Sequence, residues 1–343
     1  MTLLQVDNLA VDFQTYGGTV QAVRGVSFDV ESGESLAIVG ESGCGKSVTV
    51  QALMDLIPRP PGNIRSGQAW FEGEDLFQLS DAARTRYRGR DIGMIFQDPM
   101  TSLNPTMTIG QQIAEPLRVH RGLSPSAALE SAIDLLQRAN IPEAERRASQ
   151  YPFEFSGGML QRAMIAQAMA CNPKLLIADE PTTALDVTIQ AQILALMSEL
   201  KERLDMAIIL ITHDLAVVAK MADRVCVMYA GQIVERGSAE DIFYRSRHPY
   251  TLGLKQAMPS RSLSRESKLA PIPGSPPDLF APPKGCGYAP RCPHVMNVCV
   301  EKDPPEIADP ASPQHTAKCW LQHQDAPTTD LIYQPIRATE VTT

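Results

Sequence analysis

Apolar and polar residues alternate along the first forty positions in the manner of strands. Leu4-Gln5-Val6 and Leu9-Ala10-Val11-Asp12-Phe13 come first, then a Gly17-Gly18 turn, an alternating stretch over residues 20–30, and a Ser32-Gly33 turn before the apolar run Leu36-Ala37-Ile38-Val39. The pattern predicts an antiparallel sheet feeding a parallel core. The period then lengthens: Ala127, Leu129, Ile133, Leu135 and Leu136 recur at helical spacing within residues 124–140, and a second helical stretch covers 156–170. Short apolar runs return at 175–178, 207–211 and 224–229, separated by helical patterns over 187–203 and 215–221. Strands alternating with helices predict a mostly parallel α/β sheet. After Met258 the composition shifts to Ser260-Arg261-Ser262-Leu263-Ser264 and then to Pro271, Pro273, Pro276, Pro277, Pro282 and Pro283, which reads as a linker and a small C-terminal module.

The apolar run at 36–39 leads straight into Gly40-Glu41-Ser42-Gly43-Cys44-Gly45-Lys46-Ser47, a full match to G-x-x-x-x-G-K-[ST]. A strand that ends in a glycine-rich turn and opens a helix, here expected over 48–57, aims several backbone N–H groups and the positive end of the helix dipole at one point. A phosphate chain fits that point. Lys46 supplies a charge for the outer phosphates, the Ser47 hydroxyl a ligand for Mg²⁺, and Gly43 and Gly45 the turn angles that side chains forbid. The competing reading, a glycine-rich turn that binds nothing, is disfavoured by the strand before it and the helix after it.

Composition narrows the class. At 343 residues two domains are expected, and a hydrophobic content of 44% is ordinary for a soluble protein. The formal net charge of −8 argues against a nucleic-acid partner. No apolar run reaches the length of a membrane span, and Met1-Thr2-Leu3-Leu4-Gln5-Val6-Asp7 lacks a basic region followed by an apolar one, so a cytoplasmic location is expected.

A second nucleotide element is expected at Leu175-Leu176-Ile177-Ala178-Asp179-Glu180, an apolar strand ending in two acids. Asp179 at the strand tip suits Mg²⁺ opposite Ser47, and Glu180 suits the polarisation of an attacking water. Ser156-Gly157-Gly158 opens a helical run and forms another anion-facing helix start. One phosphate loop and two such helix starts suggest that two chains share a nucleotide. His213 follows the strand at 207–211, at the end where ligands gather in open α/β sheets. A strand-end histidine taken alone is more often structural.

Together these residues resemble the ATP-binding cassette family over about residues 3–258. Gly40 to Ser47 looks like Walker A, Gln97 in Phe96-Gln97-Asp98-Pro99 like the Q-loop, and Ser156-Gly157-Gly158 like the signature. Leu175 to Asp179 looks like Walker B with Glu180 as catalytic base, Ala184-Leu185-Asp186 like the D-loop, and His213 like the switch histidine. The resemblance implies a P-loop NTPase cassette: a RecA-like parallel core, an antiparallel β subdomain and a helical subdomain at about 98–165, with the whole cassette at 1–258. It implies ATP and Mg²⁺ as cofactors, with catalytic roles for Glu180, His213 and Gln97, and Mg²⁺ held by Ser47, Gln97 and Asp179. Phe13, with Tyr16 as the neighbouring choice, falls where an aromatic ring stacks on adenine; core packing is the other reading. Two cassettes would close head to tail over two ATP molecules. The stretch 98–117 looks like the part that meets a membrane partner. The signature departs from the commonest Leu-Ser-Gly-Gly-Gln form at Phe155 and Met159, leaving Ser156 and both glycines in place.

Cys286, Cys292, Cys299 and Cys319 gather in the tail, with five, six and nineteen residues between them. Four thiolates can hold zinc or an iron–sulfur cluster, and these spacings lack the paired Cys-x-x-Cys of common zinc ribbons and bacterial ferredoxins. Disulfides or unrelated thiols are the alternatives. Arg247-His248-Pro249-Tyr250-Thr251, Ile272-Pro273-Gly274-Ser275-Pro276-Pro277 and the cysteine run look like the C-terminal extension of ATPase subunits in bacterial di- and oligopeptide importers. That resemblance makes residues 259–343 the extension and favours a [4Fe-4S] cluster over Zn²⁺. It implies two membrane permease subunits, a second homologous ATPase, a periplasmic peptide-binding protein and a peripheral location on the cytoplasmic face of the inner membrane. Other solutes for the same machinery, such as nickel or a glycoside, and a soluble cassette ATPase without a transport role remain as alternatives.

Overall fold

The computed structural model describes residues 1–183, 185–257, 271–329 and 332. Its strands, in chain order, are β1 (Thr2–Thr15), β2 (Gly18–Glu31), β3 (Ser35–Val39), β4 (Gly62–Phe71), β5 (Glu74–Asp75), β6 (Ile92–Ile95), β7 (Leu175–Asp179), β8 (Ala207–Thr212), β9 (Arg224–Tyr229), β10 (Gln232–Ser238), β11 (Glu306–Asp309) and β12 (Ser312–Lys318). The chain forms two compact units. One gathers Met1–Leu4, Val30–Ser35 and Phe71–Thr212; the other gathers Gln5–Asp29, Leu36–Trp70 and the chain from His213 onward.

In the first unit β6, β7 and β8 lie side by side and parallel, with Met94 opposite Ile177 and Ala178 opposite Leu210. β7 and β8 are buried at every position, which is why they read as unbroken apolar runs rather than alternating ones. Most helices of this unit start where the sequence supplies an oxygen cap, Ala144–Ala148 excepted. Ser124 accepts the N–H of Ala127 at 3.3 Å before Pro125–Arg138, and Thr108 and Gln111 cap each other reciprocally at the start of Ile109–Arg121. The latter helix ends at Gly122, whose φ of 65° suits a residue without a side chain. Pro116 sits inside this helix without ending it, so the helix runs past the stretch 98–117 to Arg121.

In the second unit β3 pairs in parallel with β9, placing Ile38 opposite Cys226, and β10 pairs antiparallel with β9. The tail then returns to this sheet. β12 pairs antiparallel with β10, with Glu235 opposite Ala317, and β11 pairs antiparallel with β12. β1 and β2 are sheet neighbours joined by the two residues Tyr16 and Gly17, a connection short enough only for antiparallel strands. The alternation that broke at Asp7-Asn8 does not break the strand: Asn8 takes a φ of 48° and its N–H donates to the Ser27 hydroxyl at 2.8 Å, so β1 runs through. The core of this unit is built from Ala37, Val39, Val218, Val225, Val227, Tyr229, Ile242, Tyr250 and Tyr288. Tyr229, Tyr250 and Tyr288 pack edge to face or tilted at centroid distances of 4.5 to 5.4 Å.

Arg247 ties the tail to this core. Although fully buried, it donates from Nη1 to the carbonyls of His315 at 2.9 Å and Ile307 at 3.1 Å, and from Nε to Oε1 of Gln322 at 3.0 Å. Beside it the buried Glu235 carboxylate accepts the N–H groups of Arg247 at 2.7 Å and His248 at 3.0 Å and lies 2.9 Å from Nε2 of His315. Burial holds the His248 imidazole down at about 4, so it is neutral near pH 7 and its Nδ1 caps the following helix by accepting the N–H of Tyr250 at 3.0 Å. Among the described residues no helix is long and apolar enough to cross a membrane.

Candidate functional site

The loop Gly40 to Gly45 joins β3 to the helix Lys46–Leu53. Two of its glycines are forced by packing. A Cβ on Gly40 would lie 2.1 Å from the Met228 carbonyl, and one on Gly45 would lie 2.4 Å from the Ala22 carbonyl, while both have positive φ. Gly43 also has positive φ, at 78°, but nothing within 4 Å of a Cβ, so its constraint is conformational alone. Ser42 and Gly43 form the exposed tip, and Cys44, Gly45 and Lys46 are buried. Lys46 folds its ammonium onto the loop, 2.9 Å from the Gly40 carbonyl and 3.0 Å from that of Glu41. Thr49 donates from its hydroxyl to the Gly45 carbonyl at 2.9 Å, and the Cys44 carbonyl accepts the N–H of Gly231 at 3.0 Å. The loop is therefore fastened to its own helix and to the β9–β10 turn. Burial raises the Cys44 thiol, so it stays protonated and acts as a filler.

Glu41 is held from two sides. Its N–H donates to the Tyr250 hydroxyl at 2.8 Å, and its carboxylate receives a forked pair from Arg291, Nη1 to Oε2 at 2.5 Å and Nη2 to Oε1 at 3.0 Å. That pair raises the Arg291 guanidinium above its usual range. Phe13 is half-buried at the end of β1, with a ring edge 3.1 Å from where a Cβ of Gly62 would stand. Tyr16 is fully exposed, and His213, just after β8, is exposed as well.

The other candidate residues belong to the first unit. Asp179 ends β7 and is 3% exposed. Glu180 follows in the left-handed region with φ 48°, its N–H donating to the Ile211 carbonyl at 2.9 Å. A non-glycine residue in that region costs about 1 kcal/mol and persists only when its surroundings hold it. Here they do: Oε2 of Glu180 accepts Nε2 of Gln97 at 3.1 Å and the Thr183 hydroxyl at 2.9 Å. The structure thus brings Gln97 and Glu180 together although 83 positions separate them. Ser156 caps the helix Gly157–Ala168 by accepting the N–H of Met159 at 3.4 Å, and Ser156 and Gly157 are exposed, open to an anion from outside. A Cβ on Gly158 would stand 3.1 Å from Ile189, which favours the glycine. Ala184 lies outside the described residues, and Asp186 caps the helix Val187–Leu204 by accepting the N–H of Ile189 at 2.9 Å.

In the tail the four cysteines are free thiols that feel one another: Cys286, Cys292 and Cys299 each push Cys319 upward, after the larger effect of burial. Burial also raises Cys286, and Cys292 to about 11. The N–H of Cys286 donates to the Cys299 carbonyl at 2.8 Å. Among the described residues no three His, Cys, Asp or Glu side chains already stand at metal-ligand spacing. Cys299 and Cys319 are buried and Cys286 and Cys292 half-buried, so a thiolate-bound metal group would have to draw the four together and expel their protons.

Comparison with known proteins follows the same outline. The chain is 58% identical over 325 residues, 95% of its length, to the oligopeptide transport ATP-binding protein OppD of Bacillus subtilis, of which it covers 90%. The chain belongs to the ABC transporter family. Within this ABC protein the family model for "ABC transporter" matches residues 23–183, and the model for "Oligopeptide/dipeptide transporter, C-terminal region" matches 234–299. The dipeptide transport ATP-binding protein DppD of Bacillus subtilis is 54% identical, with 94% of this chain and 96% of the relative covered. A dimeric bacterial ABC transporter cassette superposes with a TM-score of 0.62 at 28% identity, covering 69% of this chain and 98% of that one. The α/β cassette fold inferred from the sequence is the fold of this ABC protein. Thr183, Tyr250 and Arg291 are the site neighbours that sequence reasoning missed. Thr183 had only its place three residues after Glu180 as a signal, and Arg291 only its place before Cys292.

Proposed function

We propose that this chain is the ATP-hydrolysing subunit of a bacterial importer of di- and oligopeptides, with a cassette at 1–258 and an extension at 259–343. The observation that carries the reading is the continuity of the likeness to OppD: it runs through the phosphate loop and on through the tail, the part that sets peptide importers apart from other cassettes. The loop amides from Gly40 to Ser47 and Lys46 bind the phosphates, and Ser47, Gln97 and Asp179 would hold Mg²⁺, which would supply charge neutralisation for the transferring phosphoryl group. Glu180 orients and deprotonates the attacking water, and His213 contacts the γ-phosphate. Phe13 supports the adenine. Ser156, Gly157 and Gly158 face the phosphates of a nucleotide held by a second cassette, an arrangement supported by the dimeric ABC cassette solved bound to ADP and Pi. The partners are two permease subunits, a second ATPase and a periplasmic peptide-binding protein, and the chain sits peripherally on the cytoplasmic face of the inner membrane.

Reconstitution with permeases and binding protein in vesicles tests the reading. ATP-driven accumulation of a labelled dipeptide or oligopeptide is expected, and uptake of nickel or a glycoside in place of peptide would overturn the substrate class.

Cys286, Cys292, Cys299 and Cys319 would hold a [4Fe-4S] cluster, with Zn²⁺ the competing occupant. When bound, the group staples a segment with few apolar core residues. Protein purified without oxygen is expected to contain iron and acid-labile sulfide in equal amounts, both lost in Cys319→Ser; zinc without sulfide would decide for the metal ion.

A further inference from the structure

Arg291 belongs to the cysteine-rich tail, one residue before Cys292, yet its side chain reaches the phosphate loop 250 positions earlier. The guanidinium is 4% exposed and the carboxylate it grips, that of Glu41, 28%. Its remaining contacts hold it in one pose. Nε donates to the Pro273 carbonyl at 2.8 Å, Nη1 also donates to the Tyr229 hydroxyl at 3.2 Å, and its carbon lies 5.8 Å and 6.0 Å from the ring centres of Tyr229 and Tyr288. Glu41 is thus fastened by its carboxylate to Arg291 and by its N–H to Tyr250, both supplied by chain that follows the cassette's last core strands.

The electrostatic consequence is direct. Glu41 places a negative charge inside the loop that receives a polyphosphate, and an unpaired carboxylate there repels the ligand. A bidentate guanidinium, itself removed from water, cancels that charge and fixes the backbone that carries the loop's amides. We propose that Arg291 is a positioning residue for nucleotide binding, which makes the phosphate loop's affinity conditional on the folded cysteine-rich segment. The inference rests on the ATP-binding role proposed above.

The test uses the full chain, with ATP affinity measured by titration of a fluorescent ATP analogue and KM and kcat by steady-state hydrolysis. Arg291→Met is expected to weaken affinity and raise KM about tenfold while kcat changes less than threefold, with a larger loss at low salt than at high salt. Adding Glu41→Gln to that variant removes the uncompensated charge and is expected to recover most of the affinity, which a purely structural defect would not allow. Should Arg291→Met fail to fold, Arg291→Lys keeps the charge but loses the fork; a loss of about threefold, again offset by Glu41→Gln, is then expected. Unchanged affinity in the variant that folds, or no recovery on adding Glu41→Gln, overturns the proposal. A wild-type chain that binds no ATP would instead defeat the functional reading itself.

Discussion

Glu180→Gln is expected to lower ATP turnover by about 10²–10⁴-fold while leaving nucleotide affinity within a few-fold of wild type. The reasoning is geometric. Glu180 is held by its backbone N–H on Ile211 and by Gln97 and Thr183 on one carboxylate oxygen, so the side chain is aimed before any nucleotide arrives. An amide has the same shape and still accepts those hydrogen bonds, but it cannot take a proton from water. The groups proposed to bind the phosphates, Lys46 and the loop amides among them, are untouched, so the variant is expected to bind ATP and stall. Steady-state hydrolysis and nucleotide titration read the two effects separately, and size-exclusion chromatography with ATP should show a larger dimer fraction than wild type. Turnover within threefold of wild type would remove Glu180 from its proposed role.

Arg247→Met is expected to cost about 3 kcal/mol or more of stability. The wild-type guanidinium serves carbonyls on both strands of the β11–β12 hairpin as well as Gln322, with no solvent exposure to replace what is lost. Methionine fills most of the volume and supplies no donor, so the carbonyl of His315 in a buried bond and that of Ile307 in a partly buried one each forfeit a partner. The Glu235 carboxylate keeps the N–H groups of residues 247 and 248 and its contact with His315, so the damage should be local to the hairpin's anchorage. Urea unfolding measures the total, and hydrogen exchange at Thr316 and Ala317 locates it. A loss under 1 kcal/mol with unchanged exchange would mean that the hairpin holds without this arginine.

The sequence made the phosphate loop legible because its information is local: an apolar strand, glycines that must turn, and a helix follow one another within a few residues. The strands at 175–179 and 207–212 were equally legible, since burial on both faces leaves an unbroken apolar run. Other elements gave no such signal. β4 reads Gly-Asn-Ile-Arg-Ser-Gly-Gln-Ala-Trp-Phe, largely exposed, with two glycines that argue against a strand. β12 begins Ser-Pro-Gln, and only its pairing with β10 and β11 makes a strand of it. The link from Arg291 to Glu41 is invisible for a different reason. Two charges of opposite sign so far apart in the chain announce nothing until packing brings them together.

The return of the tail to β10 has a consequence for how this protein is made. β10 leaves the ribosome with its outer row of N–H and C=O groups unmatched, and the strand that covers them follows only some seventy-five positions later. In that interval, and in any message truncated before Ser312, the growing sheet presents an open border to which another nascent chain can add. This late-made strand is therefore also the cap that keeps newly made copies apart.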